Sequence, residues 1–375
     1  MIKRDTIEYE LVSLVGLAGE MQTEDLYRLK HGQAYIRKAI SRLSADGYIK
    51  RYKYGDIKCL RLTKKCKVYL KENHPERFSN YFTGATSTNK IRNDEFRRVR
   101  YHRLGKVLVL LYLADVKIFS DEKSLAKKTF RFTRADTADY TDYSMDKNTA
   151  EFYTATEMKS AGLFMNARTS RALGIVYSHP DAYIIYNVAD GVFKWENKTE
   201  ESFFYRAKDT FLGDIIKNHF NYPKLICVGN NMDTMMHILN AKNAGMKKVF
   251  DARSNYDNVF FLDDSKFASQ QLKYFLDGKC QEIVKKKIND SFSADDRYNK
   301  YYSITDDKTI VVNCTTCNLT AIRYIKEISI AKGEEIKVIC FGFQMQYLQE
   351  YFGTGDNIEY YEMSTEKIFD TEDTR

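Results

Sequence analysis

One set of residues in the chain has the types and spacing to do chemistry. In HPDAYIIYNVADGVFKWENK (residues 179–198), Asp181 is followed by Glu196 and Lys198. Two carboxylates held close together repel one another unless a cation lies between them, and hard oxygen ligands suit Mg²⁺ or Mn²⁺. Such an ion polarises a phosphoryl oxygen and lowers the pKa of bound water, while a neighbouring lysine steadies developing negative charge. The reaction these three residues suit is metal-assisted hydrolysis of a phosphodiester.

That chemistry requires the three side chains to converge. Ala182–Val188 is rich in β-formers, Asp190-Gly191 is a turn signal, and Val192–Lys198 is β-rich again. The spacing predicts a hairpin. Lys194, Glu196 and Lys198 would share one face of the return strand, with Asp181 at the same level. Helices are expected before it, over EFYTATEMKSA, and after it, over EESFFYRAKDTFLGDIIKNHF. From Lys224 onward, KLICVG, NVFFLDD, TIVVNC and IKVICFGF read as buried strands. They alternate with helices such as MDTMMHILNAKNAG and TAIRYIKEIS, an α/β pattern. QMQYLQEYF reads as core, and the tail STEKIFDTEDTR as frayed.

The N-terminal part carries a different signal. Residues 1–110 hold 24 Lys+Arg against 12 Asp+Glu, whereas the remainder holds 35 against 39. A basic third joined to a mildly acidic remainder points to a polyanion-binding module. Helical spacing over Glu8–Glu20 is followed by a short helix over Glu24–Leu29 with Thr23 as its N-cap. A third helix is expected over Gln33–Ala45, with Ile36, Ile40 and Leu43 inward and Gly47 just past its end. YIKRYKYGDIKCLRLT reads as a hairpin around Gly55-Asp56, and LTKKCKVYLKEN as a closing helix. This is the order of a winged helix-turn-helix. The third helix would present Gln33, Tyr35, Arg37, Lys38 and Arg42 to the major groove. Lys50, Arg51, Lys53, Lys58 and Arg61 of the hairpin would lie along phosphates. A polar linker, FTGATSTNK, and a long helix over Asp94–Asp115 with a basic first half come next.

Several function classes are disfavoured. No run of 18 or more apolar residues occurs, MIKRDTIEYE lacks a signal-peptide core, and seven irregularly placed cysteines suggest no disulfide framework. The cytoplasm is the expected compartment. Cys314 and Cys317 lack a second pair for zinc, no GxxxxGK[ST] motif appears, and six scattered histidines do not form a three-histidine metal cluster.

The arrangement Pro180-Asp181 … Glu196-Asn197-Lys198 resembles the PD-(D/E)xK motif of restriction-endonuclease-like nucleases. The resemblance implies a metal held by Asp181, Glu196 and the Asn197 carbonyl, with Lys198 assisting the water. It also implies an acid from the preceding helix, for which Glu157 is the candidate. A winged helix ahead of such a domain, with SRALGIVYSHPDAYIIYN leading into FKWENKTEE, is similar to the replication-relaxation family. That family includes the MOBC class of plasmid mobilisation relaxases. The similarity covers about residues 5–220 and rests on domain order more than on long identities.

The expected fold is therefore multi-domain α/β: a winged helix over 1–85, a linker and basic helix over 86–150, and a restriction-endonuclease-like α/β domain over 151–375 with a C-terminal extension from near 222. The resemblance implies a relaxase-type endonuclease that binds a transfer or replication origin in double-stranded DNA, together with accessory relaxosome proteins. It would nick one strand by hydrolysis, without a covalent tyrosine. The alternative is a catalytically inert DNA-binding initiator or regulator.

Overall fold

A computed structural model of the chain describes residues 2–82, 95–123, 149–160, 170–190, 199–200, 202–205, 223–240, 256, 258–295 and 299–365. The fold is mixed α/β with three sheets among the described residues, and no described helix is long and apolar enough to cross a membrane. Two compact units are present. One comprises Met1–Arg168, Leu173–His179 and Asp209–His219; the other comprises Thr169–Ala172, Pro180–Lys208 and Phe220–Arg375.

In the first unit, α1 (Ile7–Ala18) begins where the Thr6 hydroxyl accepts from the Tyr9 amide and ends at Gly19, whose φ of +84° favours glycine. Apolar residues lie all round it, so it is a core helix: Leu11, Val12, Leu14, Val15 and Ala18 are all buried. The elements β1 (Met21–Gln22), α2 (Thr23–Leu26), α3 (Gln33–Ala45), β2 (Ile49–Tyr54) and β3 (Ile57–Leu62) follow. They give an antiparallel sheet of order β1-β3-β2. Gly55, at φ +56°, makes the tight β2–β3 turn. The expected cap at Thr23 is not observed. Gln22 occupies the N-cap position, and the Thr23 hydroxyl donates instead to the Lys58 carbonyl at 3.1 Å.

The closing helix α4 (Lys64–Asn73) is capped by Thr63 and followed by α5 (Pro75–Phe78). Most of the predicted linker falls at residues 83–94, outside the described residues. The long basic helix forms as α6 (Glu95–Leu113) and packs on α1 and β1. Arg77 then fastens α5 to a turn at 119–122, donating to Asp121 at 2.7 and 3.0 Å and to Glu122 at 2.7 Å.

Where a single helix is expected over EFYTATEMKSA, the chain forms a strand and then a helix. β4 (Glu151–Thr154) pairs antiparallel with β5 (Gly174–Ser178), and α7 (Ala155–Ser160) starts only after Thr154. Glu-Phe-Tyr-Thr contains three good β-formers and is buried throughout. The helical spacing read there belongs only to the second half.

In the second unit, β6 (Asp181–Ala189), β7 (Lys224–Gly229) and β8 (Val259–Asp263) run parallel. All three are almost wholly apolar and buried, as strands covered on both faces require. α8 (Met232–Asn240) follows β7, while α9 (Ala268–Leu276) and α10 (Gly278–Phe292) follow β8. A further sheet has the order β13-β12-β11-β10-β9, from β9 (Ala294–Asp295), β10 (Ser303–Thr305), β11 (Ile310–Asn313), β12 (Ile336–Phe341) and β13 (Ile358–Met363). It is parallel across β11, β12 and β13 and antiparallel at its other end. α11 (Leu319–Ile328) and α12 (Gly342–Phe352) alternate with its parallel strands. The four apolar segments read from the sequence are thus β7, β8, β11 and β12.

Candidate nucleic-acid interface

The inward face of α3 is apolar: Ile36, Ala39, Ile40 and Leu43 are buried. With a period of 3.6, the same constraint turns Gln33, Tyr35, Arg37, Lys38 and Arg42 outward, and all five are exposed. Tyr35 is 49% exposed, a large aromatic surface for a soluble helix. The Arg37 guanidinium lies 5.2 Å from the centre of the Tyr27 ring, which limits its freedom, and Arg42 pairs with Glu8.

The hairpin adds a second basic surface. Lys50, Arg51, Lys53 and Lys58 are exposed, with Lys53 directly opposite Lys58. Arg51 donates to the Ser41 hydroxyl of α3 at 2.9 Å, joining hairpin and helix. Arg61 behaves differently from its neighbours. Its side chain is largely buried, stacks over Tyr52 at 4.4 Å and pairs with Glu20. Its charge is therefore spent within the fold rather than offered to phosphates.

Glu20 is the hub that sequence reading misses. Its side chain is fully buried between α1 and β1. One oxygen accepts from Arg61, and the other from Arg98 Nε at 3.0 Å and His102 Nε2 at 2.7 Å. Burial pushes this carboxyl up, but the bonds from His102, Arg61 and Arg98 outweigh it and bring it down to about 2. The Cys59 thiol lies 3.3 Å from His102 Nε2 and is pushed up to about 11, mainly by burial. Glu20, Cys59 and His102 each bring one ligand-type atom within 4.8 Å of the others. The set is nevertheless a poor metal site, because two guanidinium groups already neutralise Glu20 and a structural Zn²⁺ takes four ligands. A soft thiol is also wrong for Mg²⁺.

Of the residues read as nuclease machinery, Glu196, Asn197 and Lys198 lie outside the described residues. Asp181 opens β6, which pairs along its length with β7 in parallel, Tyr183 opposite Lys224. Its carboxylate accepts from Lys224 Nζ at 2.6 Å and from the Tyr183 hydroxyl at 3.3 Å. Among the described residues, one cation beside Asp181 is thus a lysine 43 positions along the chain.

Glu157 has a structural task. Thr154 and Glu157 form a capping box at the start of α7: the Glu157 amide donates to the Thr154 hydroxyl at 3.2 Å, and the Thr154 amide donates to Glu157 at 2.9 Å. The same carboxylate accepts from Ser120 at 2.8 Å and from the fully buried Lys123 at 2.7 Å. With the Thr154 hydroxyl at 3.2 Å as well, the roughly four acceptor positions of a carboxylate are filled. The signature Thr154-x-x-Glu157 was legible in TATE, but the helical reading of the residues before it concealed the cap.

Comparison with protein-family models, with curated proteins and with solved structures finds no match to this chain.

Proposed function

We propose that the chain is a duplex-DNA-binding protein whose N-terminal residues act as a winged helix-turn-helix. The observation that carries this reading is the outward face of α3, where Gln33, Tyr35, Arg37, Lys38 and Arg42 stand exposed beside a basic hairpin. The element order α1-β1-α2-α3-β2-β3, with its β1-β3-β2 sheet, supports it. In this geometry α3 enters the major groove. There Arg37 and Arg42 can pair bidentately with guanine and Gln33 with adenine, while Tyr35 meets a thymine methyl or the backbone. Lys50, Arg51, Lys53 and Lys58 lie along phosphates and supply most of the affinity.

The test is selection from sheared DNA followed by hydroxyl-radical footprinting on the enriched fragments. Protection of about one helical turn per bound module is expected. Equal recovery of all fragments, without a footprint, overturns site-specific binding.

A second reading, metal-dependent nicking of an origin by Asp181, Glu196 and Lys198, draws on the Asp181–Lys224 pair at the head of a buried strand. A carboxylate and an ammonium 2.6 Å apart offer one metal ligand and one charge for a phosphate. Supercoiled DNA incubated with Mn²⁺ should pass to open circles with the wild type and not with Asp181→Ala or Glu196→Ala. If all three proteins bind and none nicks, the chain is an initiator or regulator.

A further inference from the structure

The β2–β3 hairpin has a problem of its own. β1 pairs with β3 only at Leu60 and Cys59, so the outer part of the hairpin is a two-stranded ribbon. Such a ribbon is marginal in water. Lys53 and Lys58 face one another directly across it, and like charges so placed repel. A ribbon carrying several exposed lysines should sway, yet a phosphate-tracking element works best when it is held in place.

The structure supplies a brace. Arg98, from α6, donates from Nη2 to the carbonyl of Lys53 at 3.2 Å while its Nε holds Glu20 at 3.0 Å. Arg61, on the return strand, holds the other Glu20 oxygen and stacks on Tyr52 of the outgoing strand. His102, also from α6, touches both Glu20 and Cys59. Four hairpin residues, Tyr52, Lys53, Cys59 and Arg61, are thus connected to one buried carboxylate and to one long helix. The side chains of Arg98, His102 and Arg61 are no more than 11% exposed, so water does little to loosen these bonds.

We infer that Glu20 is a positioning residue for DNA binding: through Arg61 and Arg98 it holds the basic hairpin in the orientation in which its lysines reach phosphates. The inference rests on the DNA-binding reading above. Glu20 itself touches no nucleic acid. Its effect passes through the hairpin, and α3 keeps its own anchorage by Ile36, Ala39, Ile40 and Leu43.

Two measurements on the full chain test it. The first is amide hydrogen exchange without DNA. In Glu20→Gln, protection across residues 50–58 should fall about tenfold or more beyond any loss in α1 and α3, whose exchange reports global stability. Unchanged hairpin exchange overturns the inference, and so does an equal loss of protection in α1 and α3, which would make Glu20 a residue of global stability. If Glu20→Gln does not fold, Arg98→Lys removes the bond to Lys53 while keeping the charge, and the same pattern is expected.

The second measurement is duplex affinity as a function of salt. Glu20→Gln should weaken binding about tenfold, a change of about 1.4 kcal/mol, and flatten the salt dependence. In a Lys53→Ala/Lys58→Ala background it should cause a smaller further loss, because two of the hairpin groups it positions are gone. A full additional loss there overturns the inference. A wild-type chain with no duplex affinity would remove the DNA-binding reading and the proposed role together, even if the exchange result shows that the brace exists.

Discussion

At the scale of single residues, two buried carboxylates carry structural weight: Glu20, which the sequence did not single out, and Glu157, which it offered as a catalytic acid. Glu20 is held well below the usual carboxylate range, at about 2, by three hydrogen-bonded partners. A carboxyl depressed on folding contributes stability that is fully present above its unfolded value near 4.5 and is lost as pH falls toward the folded value. Stability should therefore drop between about pH 4.5 and pH 2, and Glu20→Gln should remove that part of the slope in a urea titration run at several pH values. If the slope in that window is the same with Gln at position 20, the carboxylate is not held as described. Glu157 makes a related prediction with a different partner. Burial pushes the Lys123 ammonium down, and Glu157 is the carboxylate that offsets it. Glu157→Ala removes the hydrogen-bonded partner of that buried charge and breaks a cap, so it should cost about 3–5 kcal/mol in denaturant unfolding. Glu157→Gln/Lys123→Met, which removes both charges, should cost much less. A neutral Glu157→Ala would contradict the capping and pairing roles.

At the scale of elements, what the sequence revealed depended on how local each signal was. The helix over Gln33–Ala45 was legible to the residue, since its apolar period and the glycine after it sit within one short window. The Gly55-Asp56 hairpin was legible for the same reason. The strand opened by Asp181 was legible as a strand, but its pairing was not. Parallel pairing brings Lys224 to it from 43 residues away, and no nearby turn announces that. Glu20 was invisible because its partners lie 41, 78 and 82 residues on. The split of EFYTATEMKSA into β4 and α7 was missed because a capping-box threonine also fits the end of a strand. Gly174 offers a test of the β4–β5 pairing. A Cβ there would stand 2.2 Å from the Tyr153 carbonyl and 2.6 Å from the Phe152 ring. Gly174→Ala should destabilise by about 1–3 kcal/mol or more through overpacking, read as a fall in Tm. A variant as stable as the wild type would mean that the two strands are not so closely apposed.

At the scale of the whole molecule, charge is divided unevenly along the chain. Residues 1–110 carry twice as many basic as acidic groups, while the remainder is mildly acidic. A polyanion should be drawn to the first part and weakly repelled by the rest, and salt should screen both effects. The measurement that tests this most directly is duplex-DNA affinity of the full chain at several salt concentrations, for the wild type and for Lys50→Ala/Lys53→Ala/Lys58→Ala. The account predicts that wild-type log K falls linearly with log salt, that the triple variant binds at least about tenfold more weakly, and that its slope is shallower by about 2–3 phosphate contacts. Equal affinity and equal slope for the two proteins would contradict it.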